Sequence, residues 1–293
     1  MSNFARATLW MGLWIVCTLS MTLAGRELSR ELPVPQIMAL RSIMAAIAIT
    51  PFVLWSRGAV FRTRKSGLHF IRNLSHFGAQ FFWFVAVALI PLAEVVSIEF
   101  TMPIWTAILA AALLGEKLTG RRVLAIGLGF AGVLVILRPG AAEISAGAFS
   151  ALAAAIGFSL SVTLVKKLTG SESVLTILAH MFWTQAVLSV VLMAILWLMP
   201  GNLFSWVWPS ASLYPFIALL GLVGSAGHYC LTQATAAVDA TVVGPLDFVR
   251  VPLTALMGFG LYGEPLTVYL LLGAVLILAG NLMNRNGRRE VEM

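Results

Sequence analysis

Apolar runs of about 20 residues follow one another along the whole chain, each closed by a short polar stretch. Ten are readable, at roughly 8–24, 34–55, 70–90, 94–115, 121–138, 146–168, 174–199, 211–236, 240–262 and 266–284. An α-helix needs about 20 residues to cross ~30 Å of hydrocarbon. Lipid demands the helix, because every backbone N–H and C=O must be satisfied within the segment. Pro33 and Pro35, Pro91, Pro139-Gly140, Pro200-Gly201, Pro209 and Pro265 mark the breaks, as turn chemistry predicts. The connections are short. The pattern therefore predicts an all-α polytopic membrane protein of ten transmembrane helices without an extramembrane domain.

The fourth run begins at Glu94 and ends in Leu114-Gly115-Glu116-Lys117-Leu118-Thr119. The ninth ends 148 residues later in Tyr262-Gly263-Glu264-Pro265-Leu266-Thr267. The same offset carries Glu99-Phe100 onto Asp247-Phe248 and Ala131-Gly132 onto Ala279-Gly280. Two acids within apolar runs, a shared exit and a shared small-residue pair recurring in step indicate a duplication, residues 1–140 and 141–293. Each half holds five spans. Five is odd, so the second half enters the membrane from the opposite side, giving an inverted-topology repeat with a substrate site expected near the midplane between the halves.

Composition sharpens this picture. Of the 293 residues, 60% are hydrophobic and 11% charged, and the mean hydropathy is +0.94. Such a chain lacks the polar surface to face water, so the lipid bilayer is its solvent. The net charge of +7 is spread through short loops, which reads as membrane topology and not as nucleic-acid binding. With the N-terminus inside, 14 Lys and Arg fall in inner segments, Arg72 among them, against three outside, Arg26, Arg30 and Arg138. Arg41 and Arg250 lie within spans. The expected location is the cell inner (cytoplasmic) membrane, with both termini cytoplasmic. Cys17 and Cys230 both lie in apolar segments, so neither a disulfide framework nor a metal site is implied, and no cofactor is expected. The N-terminal run lacks an Ala-x-Ala cleavage pattern and reads as the first span.

These residues resemble the drug/metabolite transporter superfamily and, within it, the EamA-type family. The likeness rests on ten spans in two inverted halves, on Arg41-Ser42-Ile43-Met44-Ala45-Ala46 early in span two, and on the Gly115-Glu116 and Gly263-Glu264 exits. It is most specific from Pro91-Leu92-Ala93-Glu94 to Gly115-Glu116, and on through Gly127-Leu128-Gly129-Phe130-Ala131-Gly132-Val133 to Arg138-Pro139-Gly140. The resemblance covers essentially the whole chain and implies a transporter fold. It names no substrate residues, because the family moves amino acids, vitamins, nucleotide-type metabolites and drugs on one scaffold.

Ionisable groups within spans cost at least ~2.5 kcal/mol at a helix centre, so they face protein or water. Here they are Arg41 in span two, Glu99 in four, His180 in seven, and Asp247 with Arg250 in nine. Asp247 and Arg250 share a helix face three residues apart and are expected to pair; Arg41 is the candidate partner for Glu99. Architecturally, these are two buried ion pairs that fix helix orientation. Functionally, they line a cavity, bind charged groups of the substrate or relay a proton. A third reading makes Glu99, toward the outer end of span four, and Asp247, toward the inner end of span nine, parts of separate gates.

Polar and aromatic residues recur at helical spacing beside them. His76, Gln80 and Trp83 form one stripe in span three, and His180, Trp183 and Thr184 another in span seven. His228 and Tyr229, with Thr232 and Gln233, flank span eight, and span one offers Trp14, Thr18 and Met21. Such stripes face protein or a wet cavity, where interhelical hydrogen bonding competes with ligand binding as their role. Trp197, Trp206 and Trp208 read as an interfacial belt. Gly127, Gly129 and Gly132 in span five and Gly273, Ala274 and Gly280 in span ten predict a close helix seam, a face that also admits a homodimer. Pro103 and Pro252 predict kinks within spans. Glu116 and Glu264 at the two exits are expected to be helix-end contacts or caps.

No Gly-x-x-x-x-Gly-Lys-Ser/Thr loop is present, so a substrate or ion gradient must drive any transport unless another protein supplies the energy. His-Glu-x-x-His and Gly-x-Ser-x-Gly are also absent, which argues against an intramembrane enzyme. The sequence reads as a secondary transporter moving a small organic metabolite by alternating access. Export of an amino acid or related amphipathic compound is the first reading. Uptake of a larger aromatic or nucleoside-like compound, such as riboflavin or S-adenosylmethionine, is the second.

Overall fold

A computed structural model describes residues 3–114, 120–138, 145–169, 171–201, 203–237, 247 and 249–289. The Gly115-Glu116 exit, the Pro139-Gly140 turn and Phe248 lie outside them. The described residues fold as α-helices joined by short turns, with no strand among them. In chain order these are α1 (Asn3–Leu28), α2 (Val34–Trp55), α3 (Ser66–Leu89), α4 (Leu92–Glu99), α5 (Met102–Leu114), α6 (Gly120–Leu137), α7 (Ala146–Thr169), α8 (Val174–Leu198), α9 (Tyr214–Ala237), α10 (Arg250–Tyr262) and α11 (Val268–Arg289).

Among the described residues, six stretches are long and apolar enough to cross a membrane: Ala5–Leu28, Val34–Trp55, Leu92–Leu113, Ala146–Val165, Val174–Leu198 and Ala211–Leu231. Ile126–Leu137 and Val268–Gly280 are shorter apolar helices. The chain is a polytopic, all-helical membrane protein. α3 is of similar length but not of that apolar class, because His69, Arg72, Asn73, His76 and Gln80 sit on its buried side.

The local rules are visible at the breaks. Pro33 caps α2 with a second proline, Pro35, in its first turn, where a missing N–H costs nothing. Ser173 caps α8 by accepting from the Thr176 amide at 3.1 Å, one of the donors a helix start leaves free. The fourth apolar run is not one kinked helix. It parts at Phe100-Thr101, and Pro103 sits in the first turn of α5, where its ring no longer opposes a preceding carbonyl. Thr101 Oγ1 donates to the Ile98 carbonyl at 2.7 Å and so satisfies one group released by the break. Pro252 likewise lies in the first turn of α10.

The helices pack in recurring pairs: α1 with α9, α3 with α7, α2 with α8, and α6 with α11, while α4 lies against α7 and α10. The main core gathers Phe84, Val87, Leu92, Val96 and Ile98 with Ile37, Leu220 and Ile277. Outside it, large apolar side chains such as Ile47, Leu54, Phe70, Leu134, Val187 and Leu256 stand exposed, the surface a lipid-solvated bundle presents. α6 and α11 meet at glycine. A Cβ on Gly132 would lie 2.7 Å from the Gly273 carbonyl oxygen, and one on Gly273 would lie 2.6 Å from that of Gly132. No side chain fits there, so the expected seam exists at this pair. Gly127 instead borders open space, and Gly129 faces Ile104.

Candidate transport site

Glu99 is the last residue of α4, and Arg250 the first of α10, with Asp247 one turn upstream. The packing of α4 on α10 brings all three together. Arg250 Nη1 donates to Glu99 Oε1 at 2.9 Å, and Nη2 to Asp247 Oδ2 at 3.3 Å. The free oxygens each take an indole N–H: Trp83 reaches Glu99 Oε2 at 3.0 Å, and Trp14 reaches Asp247 Oδ1 at 2.9 Å. The guanidinium also lies 4.9 Å from the centre of the Phe100 ring, a cation–π distance. The three charged side chains are only 9–19% exposed. Two carboxylates thus share one guanidinium, and the group ties α1, α3, α4 and α10 into one polar knot.

This differs from the pairing expected within each half. Asp247 and Arg250 do pair, but Glu99 shares the same guanidinium, and Arg41 is elsewhere. The reason is packing: α2 lies on α8 and α9, so Arg41 Nη1 donates to Gln185 Oε1 of α8 at 3.3 Å. Its other side faces α9, where a Cβ on Gly224 would lie 3.0 Å from Arg41 Nε. Glu99 and Asp247 are accordingly not at opposite faces; one arginine joins them.

A second buried polar group surrounds Arg41. The stripe expected on α3 is there, and it is longer: Arg72, His76, Gln80 and Trp83 are all buried. His76 lies 5.7 Å, ring to ring, from His228 of α9 and is 3.5 Å from the Ser161 hydroxyl. Arg72 Nη1 donates to Asn73 Oδ1 at 3.0 Å, and the Asn73 amide donates to the His180 carbonyl and to Thr184 Oγ1. The His180 ring stacks on His69 at 4.2 Å and donates from Nδ1 to the Thr176 carbonyl at 2.9 Å.

Two residues of the expected site point away. Trp183 is 41% exposed, beside Ile43, Val187 and Val190 in an apolar groove on the bundle surface. Tyr229 is 51% exposed and meets Trp10 edge-on at 5.7 Å. Helical rotation explains both. Three residues on from His180 is about 60° short of a full turn, and one residue on from His228 is about 100° round. Conversely, Arg72, Asn73, His69 and Gln185 were not among the expected site residues. Arg72 counts among the inner segments in the charge bias, yet it continues the His76–Gln80 stripe at i−4. Gln185 was legible only as a lone amide inside an apolar span.

A third network closes the end of the bundle where α1 and α3 finish. Arg26 Nη2 donates to Glu264 Oε1 at 2.8 Å and to the Ile90 carbonyl at 2.5 Å. Glu264 Oε2 accepts from the Leu92 amide, the first residue of α4, at 2.7 Å, so it is the helix-end cap expected of it. Gly263, at φ 65°, makes the left-handed turn that points Glu264 back into the bundle. Tyr262 donates to Glu27 at 2.7 Å, and Arg26 and Arg30 flank its ring.

The model of the EamA-like transporter family matches residues 6–138 and, separately, 145–285. Among similar proteins is an S-adenosylmethionine uptake transporter of Rickettsia bellii, 26% identical over 276 residues, covering 93% of this chain and 91% of that protein. A riboflavin transporter of Rhizobium johnstonii is 30% identical over 246 residues, 82% of this chain and 78% of its own. A pseudopaline exporter of Pseudomonas aeruginosa is 23% identical over 259 residues, 86% of each. A solved structure described only as a crystal structure of a protein superposes with a TM-score of 0.65 at 22% identity, covering 99% of both chains, which is a likeness of fold.

Proposed function

The chain belongs to the EamA-like transporter family, and from that premise we propose that it is a secondary transporter of a small organic metabolite that works by alternating access. In this reading ten spans form two inverted five-helix halves, 1–140 and 141–293, with both termini on the cytoplasmic side of a bacterial inner membrane. Two separate family matches, one per half, support the repeat. So does the packing. Exchanging each span for its counterpart five spans on turns the α1–α9 pair into α7–α3, turns α2–α9 into α8–α3, and leaves α2–α8 and α6–α11 as they are.

The observation that carries the proposal is the Glu99–Arg250–Asp247 group. It joins the helix break in one half to the start of α10 in the other through a single buried guanidinium. Discontinuous helices with charged groups at the meeting of two repeats are where secondary transporters place substrates and coupling ions. The Arg26–Glu264 network then closes the outer end, as one limit of a rocking cycle requires.

The first reading of the substrate is an amino acid or related amphipathic compound, moved outward. The second is uptake of a nucleoside-like or aromatic compound, favoured by relatives named for S-adenosylmethionine uptake and for riboflavin. Counterflow in proteoliposomes separates them. Labelled amino acids, S-adenosylmethionine and riboflavin are offered outside with the unlabelled compound trapped inside. One compound accumulating transiently supports the proposal; equilibration that ignores the trapped compound rules out alternation.

A further inference from the structure

Arg41 and Arg72 are 2% and 7% exposed, on neighbouring helices α2 and α3, and no carboxylate among the described residues faces either of them. The acids nearest to serving are committed elsewhere: Glu99 and Asp247 to Arg250, Glu264 to Arg26, and Glu172 to Thr63. What touches the two guanidiniums is neutral. Arg41 has the Gln185 carbonyl oxygen, Arg72 has that of Asn73, and the Nε of each is buried without a partner. Asn73, which accepts from Arg72, in turn meets Thr184, the neighbour of Gln185. His76, one turn from Arg72, meets His228, one turn from the Gly224 that lies against Arg41. Both guanidiniums thus belong to the region where α3, α8 and α9 face α2. Gln185, whose carbonyl oxygen meets Arg41, keeps its own Nε2 buried and unpartnered.

Arg250 is the internal control. It is as deeply buried as these two and carries two carboxylates, so the bundle places counter-ions where its own architecture needs them. A buried guanidinium left without one is costly, and in a membrane helix such a charge marks a ligand path. The planar fork of arginine matches a carboxylate or a phosphate with two parallel hydrogen bonds. The unpartnered Gln185 amide beside Arg41 supplies a further donor.

We infer that Arg41 and Arg72, with Gln185, form a binding site for an anionic group of the transported metabolite, a carboxylate or a phosphate. This rests on the transporter reading and narrows it to organic anions and zwitterions. The missing Cβ at Gly224 lets the Arg41 guanidinium lie against α9 at the site.

The test is thermal unfolding of the full chain in detergent, titrated with acetate or with inorganic phosphate at an ionic strength held constant by chloride. Wild type is expected to gain a saturable rise of several degrees, and Arg41→Gln and Arg72→Gln to show at least a tenfold weaker response. In chloride alone, both variants are expected to match or exceed wild type in stability, because an uncompensated charge has gone. Arg41→Lys keeps the charge without the fork and is expected to respond at higher concentrations only. A larger effect of acetate assigns a carboxylate, and a larger effect of phosphate a phosphate ester. An identical response in all the proteins overturns the inference, as does a Gln variant that loses stability in chloride alone. Counterflow is read separately. Its retention in both Gln variants also overturns the anion site while leaving transport standing, whereas its absence in wild type that still binds anion overturns the transporter reading alone.

Discussion

Replacing Arg250 with methionine removes the one cation between Glu99 and Asp247 and leaves two carboxylates, 12% and 19% exposed, facing each other with one indole N–H apiece. Removing one partner of a buried ion pair costs about 3–5 kcal/mol, because the remaining charge is stranded where water cannot solvate it. Glu99→Gln is expected to cost much less. Arg250 keeps Asp247 at 3.3 Å, and the Gln oxygen can still accept the Trp83 N–H now at 3.0 Å. The contrast grows when the changes are combined. If the penalty is stranded charge, adding Glu99→Gln and Asp247→Asn to Arg250→Met restores most of the lost stability, a coupling far from additive. The assay is thermal unfolding of the purified chain in one detergent, followed by tryptophan fluorescence, with all variants measured side by side. Arg250→Met is expected to unfold on the order of 10 °C below wild type. A triple variant as unstable as the sum of its single changes refutes the electrostatic argument and leaves packing around Phe100 as the role of Arg250.

Other consequences are equally accessible. Arg26→Gln or Glu264→Gln breaks the 2.8 Å pair at the closed end, so a cysteine at buried Ser97, in a background lacking Cys17 and Cys230, is expected to react several-fold faster with an impermeant maleimide. An unchanged rate argues that the network is not a gate. Gly132→Leu forces a side chain against the Gly273 backbone and is expected to cost about 1–3 kcal/mol through overpacking, read as a fall in the unfolding temperature; wild-type stability would show that α6 and α11 separate freely. Trp183→Ala, on the outer surface, is expected to leave counterflow within about twofold of wild type, since a surface change away from special contacts costs little. A loss of transport there would place the groove of Ile43 and Val187 on the substrate path.

Much of this fold was legible in the sequence because lipid leaves few choices. An apolar run of about 20 residues between turn residues is a helix, and α1, α2, α7, α8 and α9 follow the runs closely. The acids inside the fourth and ninth runs stand out in the sequence, and one arginine joins them in the fold. Their partner was less legible, because an offset that relates Glu99 to Asp247 suggests one ion pair per half. Which arginine meets which acid depends on α4 packing against α10 and α2 against α8, a tertiary fact without a local signature. Pro103 predicted a kink, not a chain that parts at Phe100-Thr101 and leaves Glu99 at a helix end. Arg72 was hidden by its position near the start of its span, where arginine ordinarily sits in water. Trp183 shows the converse limit: residues at i and i+3 share a stripe loosely, and about 60° of rotation is enough to turn an indole outward.

The central claim is alternation around a charged interior, and counterflow tests it most directly. In liposomes loaded with unlabelled compound, a labelled metabolite bearing an anionic group is expected to overshoot equilibrium, and the overshoot to disappear with Asp247→Asn and with Arg41→Gln. Labelled compound that enters at the same rate whether or not the trapped compound is present, in the folded wild-type protein, contradicts the account.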